Sequence, residues 1–408
     1  MGEIKKWLTI IGIEEDGYSG LSSLAIEKIH QADVIFGGKR HLAMVSDVAA
    51  HKIEWAQPFS NSMAEIKANT GENVVVLASG DPQWFGVGSM LARHFSAEIT
   101  ENIPARSSFS LAAAKLNWSL ARVQTLTLHG RPFANLARFV APNTRLLALS
   151  NDGKTPKMIA DYLLRQGFGQ SKVWVMEHLG GEKERIRQSA AAEFDLPDIA
   201  DLNIVAIDCI GDGQSSWHSL APGLPDEAFR HDGQLTKSVV RAATLAALKP
   251  YSGALLWDVG AGCGSIGIEW MRAAPNARAI AIEPNAARCK MIEENAANLG
   301  VPGLQLVRTS APGCLHKLAR PDAIFIGGGL TQNQMFETCW QELSVGGILV
   351  ANGVTLESDT CLFALQEKYG GTLRRISVEQ VAPMGEFRGW KPAKPVTQWR
   401  VVKMDKAK

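Results

Sequence analysis

Short apolar runs, each closed by glycine, an acid or serine, alternate along the chain with stretches of helical period. The clearest case is residues 255–284, LLWDVGAGCGSIGIEWMRAAPNARAIAIEP. The run at 254–257 reads as a buried parallel strand. It ends at Asp258 and breaks into Gly260-Ala261-Gly262-Cys263-Gly264; Ile266, Ile268 and Met271 then follow at helical spacing. A second apolar strand, 278–282, closes on Glu283, making a βαβ unit with a glycine-rich first turn. Upstream, 7–13 predicts a strand running into Glu14-Glu15-Asp16-Gly17. Ser19 or Ser22 caps a helix to about Gln31, with Leu24, Ile26 and Ile29 on its apolar side. Strands at 34–36 and 74–77, and a helix opened by Gly86, complete an alternation that predicts a mostly parallel sheet with ligands at the carboxyl ends of its strands. A second α/β lobe starts near Pro104, with strands 145–149, 173–176 and 203–207 and a helix at 156–166. Residues 213–230, in a stretch rich in Gly, Pro and Ser without periodicity, read as a linker. Beyond it come a helix at 238–248, the βαβ unit, a helix 285–299, and strands 304–307 and 323–326. A helix to about Leu343, a strand 347–351, a helix 356–368 and strands 373–378 and 397–402 follow. Seven strands, the last two joined without a helix, predict one sheet with an antiparallel end.

At 408 residues the chain exceeds one ordinary core, and two or three domains are expected. A net charge of +1 implies no bulk attraction to nucleic acid or an anionic membrane. Lys5 and Lys6 precede the first apolar run as in a signal peptide, but that run meets acids at once and reads as a strand. No run is long enough to span a bilayer. The six cysteines show no C-x-x-C spacing, which supports neither a metal site nor a disulfide framework and suits a reducing cytoplasm.

The glycines of the turn let a ligand lie against backbone N–H groups. Glu283, at the end of the second strand, is placed to accept both hydroxyls of a ribose. Gly262, Gly264 and Gly267 also spell G-x-G-x-x-G, so a nicotinamide-dependent dehydrogenase stays open as an alternative. Two details favour S-adenosylmethionine (SAM). Asp258, just before the turn, would repel a pyrophosphate and suit the ammonium of a methionine moiety, and the helix start carries no charge that a phosphate would want. Gly327-Gly328-Gly329 leave a roomy floor. The Asn-Pro-Pro-Tyr motif of DNA amino-methyltransferases is absent.

Four loops of the first half carry more polar detail than turns need: "GGKRHL", "ASGDPQWFGVG", "SSFSLAAAKL" and "LHGRP". In this order, over roughly residues 5–210, they resemble the tetrapyrrole methylases of cobalamin biosynthesis, in the amino-terminal type of the precorrin-6Y methylases. Over 231–402, "DGQLTK", "WDVGAGCGSIGIEW", "FIGGGLT", "LVANGVTLES" and "GWKPAKPVTQWRV" resemble the decarboxylating carboxy-terminal type. The resemblance implies an α/β protein: a two-lobed tetrapyrrole methylase fold over 1–212, the linker 213–230, and a Rossmann-like seven-stranded SAM-dependent methyltransferase fold over 231–408. It implies methylation of a precorrin-6Y/6B-type tetrapyrrole at C5 by the first half and at C15 by the second, with loss of the C12 acetate carboxyl, giving precorrin-8X. A cobalt-precorrin version of the same reactions is the alternative substrate. A first half that only delivers substrate is the non-enzymatic alternative.

Carried over by position, SAM has two sites. One lies beside Asp81, Pro82, Ser107 and Ser108. The other touches Thr236, Gly260, Ala261, Gly262, Cys263, Gly264, Glu283 and Ala311. The family's first loop reads G-x-G, and Glu14 replaces its second glycine. A carboxylate there would repel a polyacidic substrate unless it turned outward. Arg106, Arg131, Lys237, Arg388 and Lys391 are candidates to anchor the substrate's acetates and propionates, because guanidinium and ammonium bind carboxylate. Trp390 either stacks on the macrocycle or belongs to a core. The macrocycle is its own electron sink, so no catalytic residue is singled out and no metal is called for. Both halves of the family tend to assemble, and a homo-oligomer is expected.

Overall fold

The computed structural model describes residues 6–405. The outer limits expected for the two domains, 1–5 with Lys5 and 406–408, lie outside the described residues. The chain divides into two compact units, Met1–Arg131 with Ala141–Ser216, and Pro132–Val140 with Trp217–Lys408. The second unit thus takes in a short segment from the first half, which the sequence pattern does not foresee.

The first unit holds two sheets. In one, β1 (Leu8–Ile13), β2 (Val34–Gly37), β3 (His51–Glu54), β4 (Val74–Ser79) and β5 (Thr100–Ile103) stand in the order β3-β2-β4-β1-β5, all parallel. Every residue of β1, LTIIGI, is buried, as a parallel strand covered on both faces requires. Leu8, Ile10, Val74 and Val76 pack with Met63 and Ile66 of the helix Phe59–Ala68. Ile11, Ile13, Val75 and Leu77 pack with Ala25 and Ile29 of the helix Ser23–His30 on the other face. Ser22, not Ser19, caps that second helix, its Oγ accepting from Ala25 N at 3.2 Å. Leu24, expected on the apolar side, is 45% exposed.

The other sheet joins β6 (Gln124–Thr127), β7 (Arg145–Leu149), β8 (Lys172–Glu177), β9 (Arg185–Ala190) and β10 (Asn203–Asp208) in the order β6-β7-β10-β8-β9. The parallel pairing expected from the strands at 7–13, 34–36 and 74–77 holds in the first sheet; this second sheet, for which the pattern set no strand direction, is mixed. Only β6 and β7 run parallel; β7–β10, β10–β8 and β8–β9 are antiparallel. The loop 178–184 between β8 and β9 is too short for a crossover, which needs about a dozen residues. β9, RIRQSA, has no apolar run to betray it.

In the second unit come β11 (Leu255–Val259), β12 (Arg278–Ile282), β13 (Gln305–Val307), β14 (Ala323–Ile326), β15 (Ile348–Gly353) and β16 (Thr372–Ile376). β17 (Glu379–Met384), β18 (Phe387–Pro392) and β19 (Val396–Val402) complete it. Seven of these form one sheet, β13-β12-β11-β14-β15-β19-β16, with β19 antiparallel to both neighbours. β17 and β18 form a separate hairpin inserted before β19. Leu256, Ala279, Phe325 and Val350 meet Ile268 and Trp270 of the helix Ser265–Ala273. Trp257, Ile280, Ile324 and Leu349 meet Met335 and Phe336 of the helix Met335–Glu342. Alternate residues of each strand therefore face opposite layers. From β11 the chain builds outward to β12 and β13, then returns to the other side with β14 and β15. The order reverses between β11 and β14, and in open α/β sheets the crevice at such a reversal is where ligands bind. No helix among the described residues is long and apolar enough to cross a membrane.

Candidate functional site

At the reversal β11 ends in the glycine turn. Gly260 sits at φ +72°, and a Cβ there would come within 3.0 Å of Gly328 N, beyond the end of β14. Glycine at both positions lets the two strand ends close up beneath the crevice. Gly264, at φ +81°, starts the helix Ser265–Ala273. The turn is tied across to β12: Glu283, 3% exposed, accepts from Gly262 N through Oε2 at 2.9 Å and from Asn285 N through Oε1 at 3.0 Å. Above lies a cavity of about 1460 Å³.

Thr236, Lys237, Gly260, Ala261, Gly262, Cys263, Glu283 and Ala311 all line this cavity. Gly264 does not; it sits behind the wall, against Ile292 and Ile268. Gly327, Gly328 and Gly329 form part of the lining, together with Val259, Ile266, Ile282 and Phe325. Cys263 faces the cavity, but burial pushes its thiol up to about 11, so it is no nucleophile at neutral pH.

Asp258 is placed otherwise than its position in the sequence suggests. It is 1% exposed and absent from the cavity wall; its Oδ2 accepts from Gly267 N at 2.9 Å and its Oδ1 has no partner. Burial first, with the Glu283 charge adding to it, pushes its carboxyl up to about 7. It braces the start of the helix and does not offer itself to a ligand's ammonium.

Residues that the sequence pattern passed over hold the segment 231–237 in the wall. Arg288 donates from Nε to Asp232 Oδ2 and from Nη2 to Gln234 Oε1, both at 2.8 Å. Arg241, fully buried, donates to the carbonyls of Thr236 and Leu224 and pairs with Glu269 at 2.5 Å. A lone arginine inside the apolar helix Ser238–Leu248 was the available signal. Lys237 pairs with Asp226 at 3.2 Å.

Arg388 and Lys391 lie on the exposed hairpin strand β18, outside the lining; Lys394, just beyond it, does line the cavity. Trp390 is 70% exposed and belongs to no core.

In the first unit the adjacent strands β4, β1 and β5 bring three loops together at their carboxyl ends. Ala105 N donates to Gly80 O at 3.3 Å, and a Cβ on Gly12 would lie 1.9 Å from that same oxygen. Asp81-Pro82 and Ser107-Ser108 belong to two of these loops. Asp81 Oδ1 accepts from Gln83 N at 2.9 Å, and Ser107 caps the helix Ser108–Leu116, accepting from Ser110 N at 3.1 Å.

Glu14 turns inward, its side chain 8% exposed, and is neutralised there: Oε1 accepts from Arg106 N and Nε at 2.8 and 2.9 Å, and Oε2 lies 2.8 Å from Nη2. It is neither outward nor a free charge. Arg106 is correspondingly committed to Glu14 and to Asp16 at 3.2 Å. Arg40 of "GGKRHL" pairs with Glu15 and donates to Ser79 Oγ at 3.2 Å. Arg131 is exposed beyond β6.

Comparison with known proteins extends this geometry. Residues 8–195 match the family of Tetrapyrrole (Corrin/Porphyrin) Methylases, and residues 227–403 match a Precorrin methyltransferase domain. Over 397 residues the chain is 45% identical to a precorrin-6Y C(5,15)-methyltransferase (decarboxylating) of Sinorhizobium sp, covering 97% of this chain and 96% of that one. A protein of the same name from Mycobacterium tuberculosis (strain CDC 1551 / Oshkosh) is 40% identical, covering 97% and 100%. The crystal structure of the C-terminal domain of precorrin-6Y C5,15-methyltransferase from Rhodobacter capsulatus is 45% identical, with a TM-score of 0.44, covering 46% of this chain and 100% of that chain.

Proposed function

The chain belongs to the precorrin-6Y C5,15-methyltransferase (decarboxylating) family, and from that premise we propose how its halves and residues divide the work. It is a SAM-dependent methyltransferase of cobalamin biosynthesis, acting on a tetrapyrrole of the precorrin-6Y/6B type to give precorrin-8X. A nicotinamide-dependent dehydrogenase is not favoured. The second half, 231–408, methylates C15 and releases the acetate carboxyl as CO2. The first half, 1–212, methylates C5. Each half holds its own SAM.

The observation that carries the second site is the glycine turn facing a cavity of about 1460 Å³ with a buried carboxylate in its wall. Each Glu283 oxygen takes one backbone N–H and keeps acceptor capacity for a ribose hydroxyl. The apolar wall of Val259, Ile266, Ile282 and Phe325 suits an adenosyl group. When bound, SAM supplies a methyl group already activated on a sulfonium. The chain's own residues then have to align donor and carbon and keep water out. Lys237 and Lys394 in the wall offer cations to the substrate's carboxylates.

In the first half, the joined loops after β1, β4 and β5 put Asp81, Pro82, Ser107 and Ser108 at strand ends, where a parallel sheet binds ligands. Arg106 and Arg131 remain the candidate anchors, Arg106 through the edge that Glu14 leaves open.

Calorimetric titration of the intact chain with SAM, followed by mass spectrometry of product from metal-free and cobalt-loaded substrate, tests this. Two sites, and a metal-free product that has gained two methyl groups and lost one CO2, are expected. A single site, with only C15 methylated, would favour a first half that merely delivers substrate.

A further inference from the structure

The motif "LVANGVTLES" brings Asn352 to the cavity. Asn352 lies near the carboxyl end of β15. Glu283 follows β12, three strand spacings away, roughly 14 Å across the sheet. A ribose held at Glu283 does not reach that far, so Asn352 stands on the substrate's side of the cavity.

Its amide is held in one orientation by a chain of hydrogen bonds. Thr244, fully buried, donates its hydroxyl to Val240 O at 2.8 Å. That carbonyl can only accept, so Thr244 Oγ1 has nothing left to give and must itself accept. It accepts twice, from Asn352 Nδ2 at 3.0 Å and from Gln398 Nε2 at 3.1 Å. Gln398, also fully buried and directly opposite Asn352 across the β15–β19 ladder, donates its second N–H to Asn352 Oδ1 at 3.1 Å. Turning either amide over would set oxygen against oxygen. Gln398 keeps this orientation even though its Oε1 is left buried without a partner, which is costly. Among the described residues Asn352 uses one N–H and one lone pair of its side chain. One of each is left for whatever enters the cavity.

We propose that Asn352 contacts the tetrapyrrole, its Oδ1 accepting from a ring N–H, and that Thr244 and Gln398 are positioning residues for it. The inference rests on the reading of the second half as the C15-methylating half. In that step the π pair between the bridging carbon and the adjoining ring carbon forms the bond to the methyl carbon while the methyl–sulfur bond breaks, its electron pair staying on sulfur. The nitrogen lone pair of the neighbouring ring moves into the ring C–N bond, leaving that N–H positively charged. When the carboxyl departs as CO2, the pair of the broken C–C bond moves into the ring and returns the C–N pair to nitrogen. A carbonyl oxygen held against the N–H favours the charged species over the neutral substrate, so its effect belongs to kcat more than to substrate binding.

The test uses the intact chain, SAM and metal-free precorrin substrate, scored by mass for C15 methylation and CO2 loss. Asn352→Leu should lower kcat roughly 10- to 100-fold, the scale for a hydrogen bond to a charged group. SAM affinity should stay near wild type, while the melting temperature should fall by a few degrees because a buried Gln398 N–H loses its acceptor. Asn352→Asp keeps an acceptor and should retain more activity than Asn352→Leu. Thr244→Val frees the amide to turn and should fall between wild type and Asn352→Leu in kcat, with KM little changed. Wild-type kcat in Asn352→Leu, or a loss of SAM affinity equal to the loss in kcat, would overturn the assignment. So would equal losses in the Leu and Asp variants. A wild-type chain that binds SAM but methylates no tetrapyrrole would overturn the reading of the second half itself, and the assignment with it.

Discussion

Replacing Glu283 with alanine removes the one buried carboxylate in the wall of the glycine-turn cavity. Its oxygens already take Gly262 N at 2.9 Å and Asn285 N at 3.0 Å, so the substitution has two consequences. The ribose loses its acceptors, and the turn that brings backbone amides to the ligand loses its tie to β12. Losing a charged hydrogen-bond partner costs about 1.5–3 kcal/mol, which is roughly ten- to hundredfold in Kd. Glu283→Gln is nearly as informative. A carboxamide has one oxygen, so its NH2 must face either Gly262 N or Asn285 N, donor against donor. It should therefore weaken SAM almost as much as alanine does. The assay is calorimetry on the intact chain. One of two sites should weaken in both variants while the other keeps its wild-type affinity. Unchanged affinity at both sites, or a glutamine variant indistinguishable from wild type, would show that the ribose is held elsewhere.

The same Glu283→Ala chain should still methylate C5 of a substrate already methylated at C15 and decarboxylated; loss of both activities would refute the division of labour. Conversely, Asp81→Ala should weaken only the other SAM site, by about tenfold on the scale of a lost hydrogen-bond partner, read by the same titration. Asp258 gives a pH signature. Its folded-state value of about 7 lies above the ordinary 3.8, so its contribution to stability is complete below about 4 and is lost as pH rises through about 7. Asp258→Asn should therefore gain in melting temperature relative to wild type between pH 5 and pH 8; a constant difference across that range would mean that the carboxyl titrates normally. Glu14→Gln should release Arg106 for substrate and lower the KM of C5 methylation; a raised KM would mean that the pair is needed to shape the loop.

Much of the second unit was legible from period and punctuation. The central strands β11, β12, β14 and β15 are apolar runs whose alternate residues face two different layers, and glycine at 260 and 264 is demanded by left-handed backbone and, at 260, by a neighbouring strand end. Local sequence carries such information because strand burial and turn conformation depend on residues a few positions apart. Strand direction in the second sheet of the first unit was not legible. The polar strand β9, which falls between β8 and β10 in sequence, has no apolar run to mark it and takes the sheet's edge beside β8, while β10 crosses to β8's other side.

Partners across long separations were equally silent in the one-dimensional pattern. Asp258 looks like a ligand-facing acid until folding sets Gly267 N in front of it and leaves it behind the cavity wall. Glu14 looks like an obstacle until Arg106, 92 positions later, neutralises it. Thr244, Asn352 and Gln398 look like unrelated polar residues. The sheet order places β19 beside β15, and the helix Ser238–Leu248 covers the pair, so residues 108 and 154 positions from Thr244 meet its hydroxyl. Local propensity thus set the elements and the turn, while the charges and amides acquired their roles only when packing excluded water and left each buried group no partner but the one that topology brought.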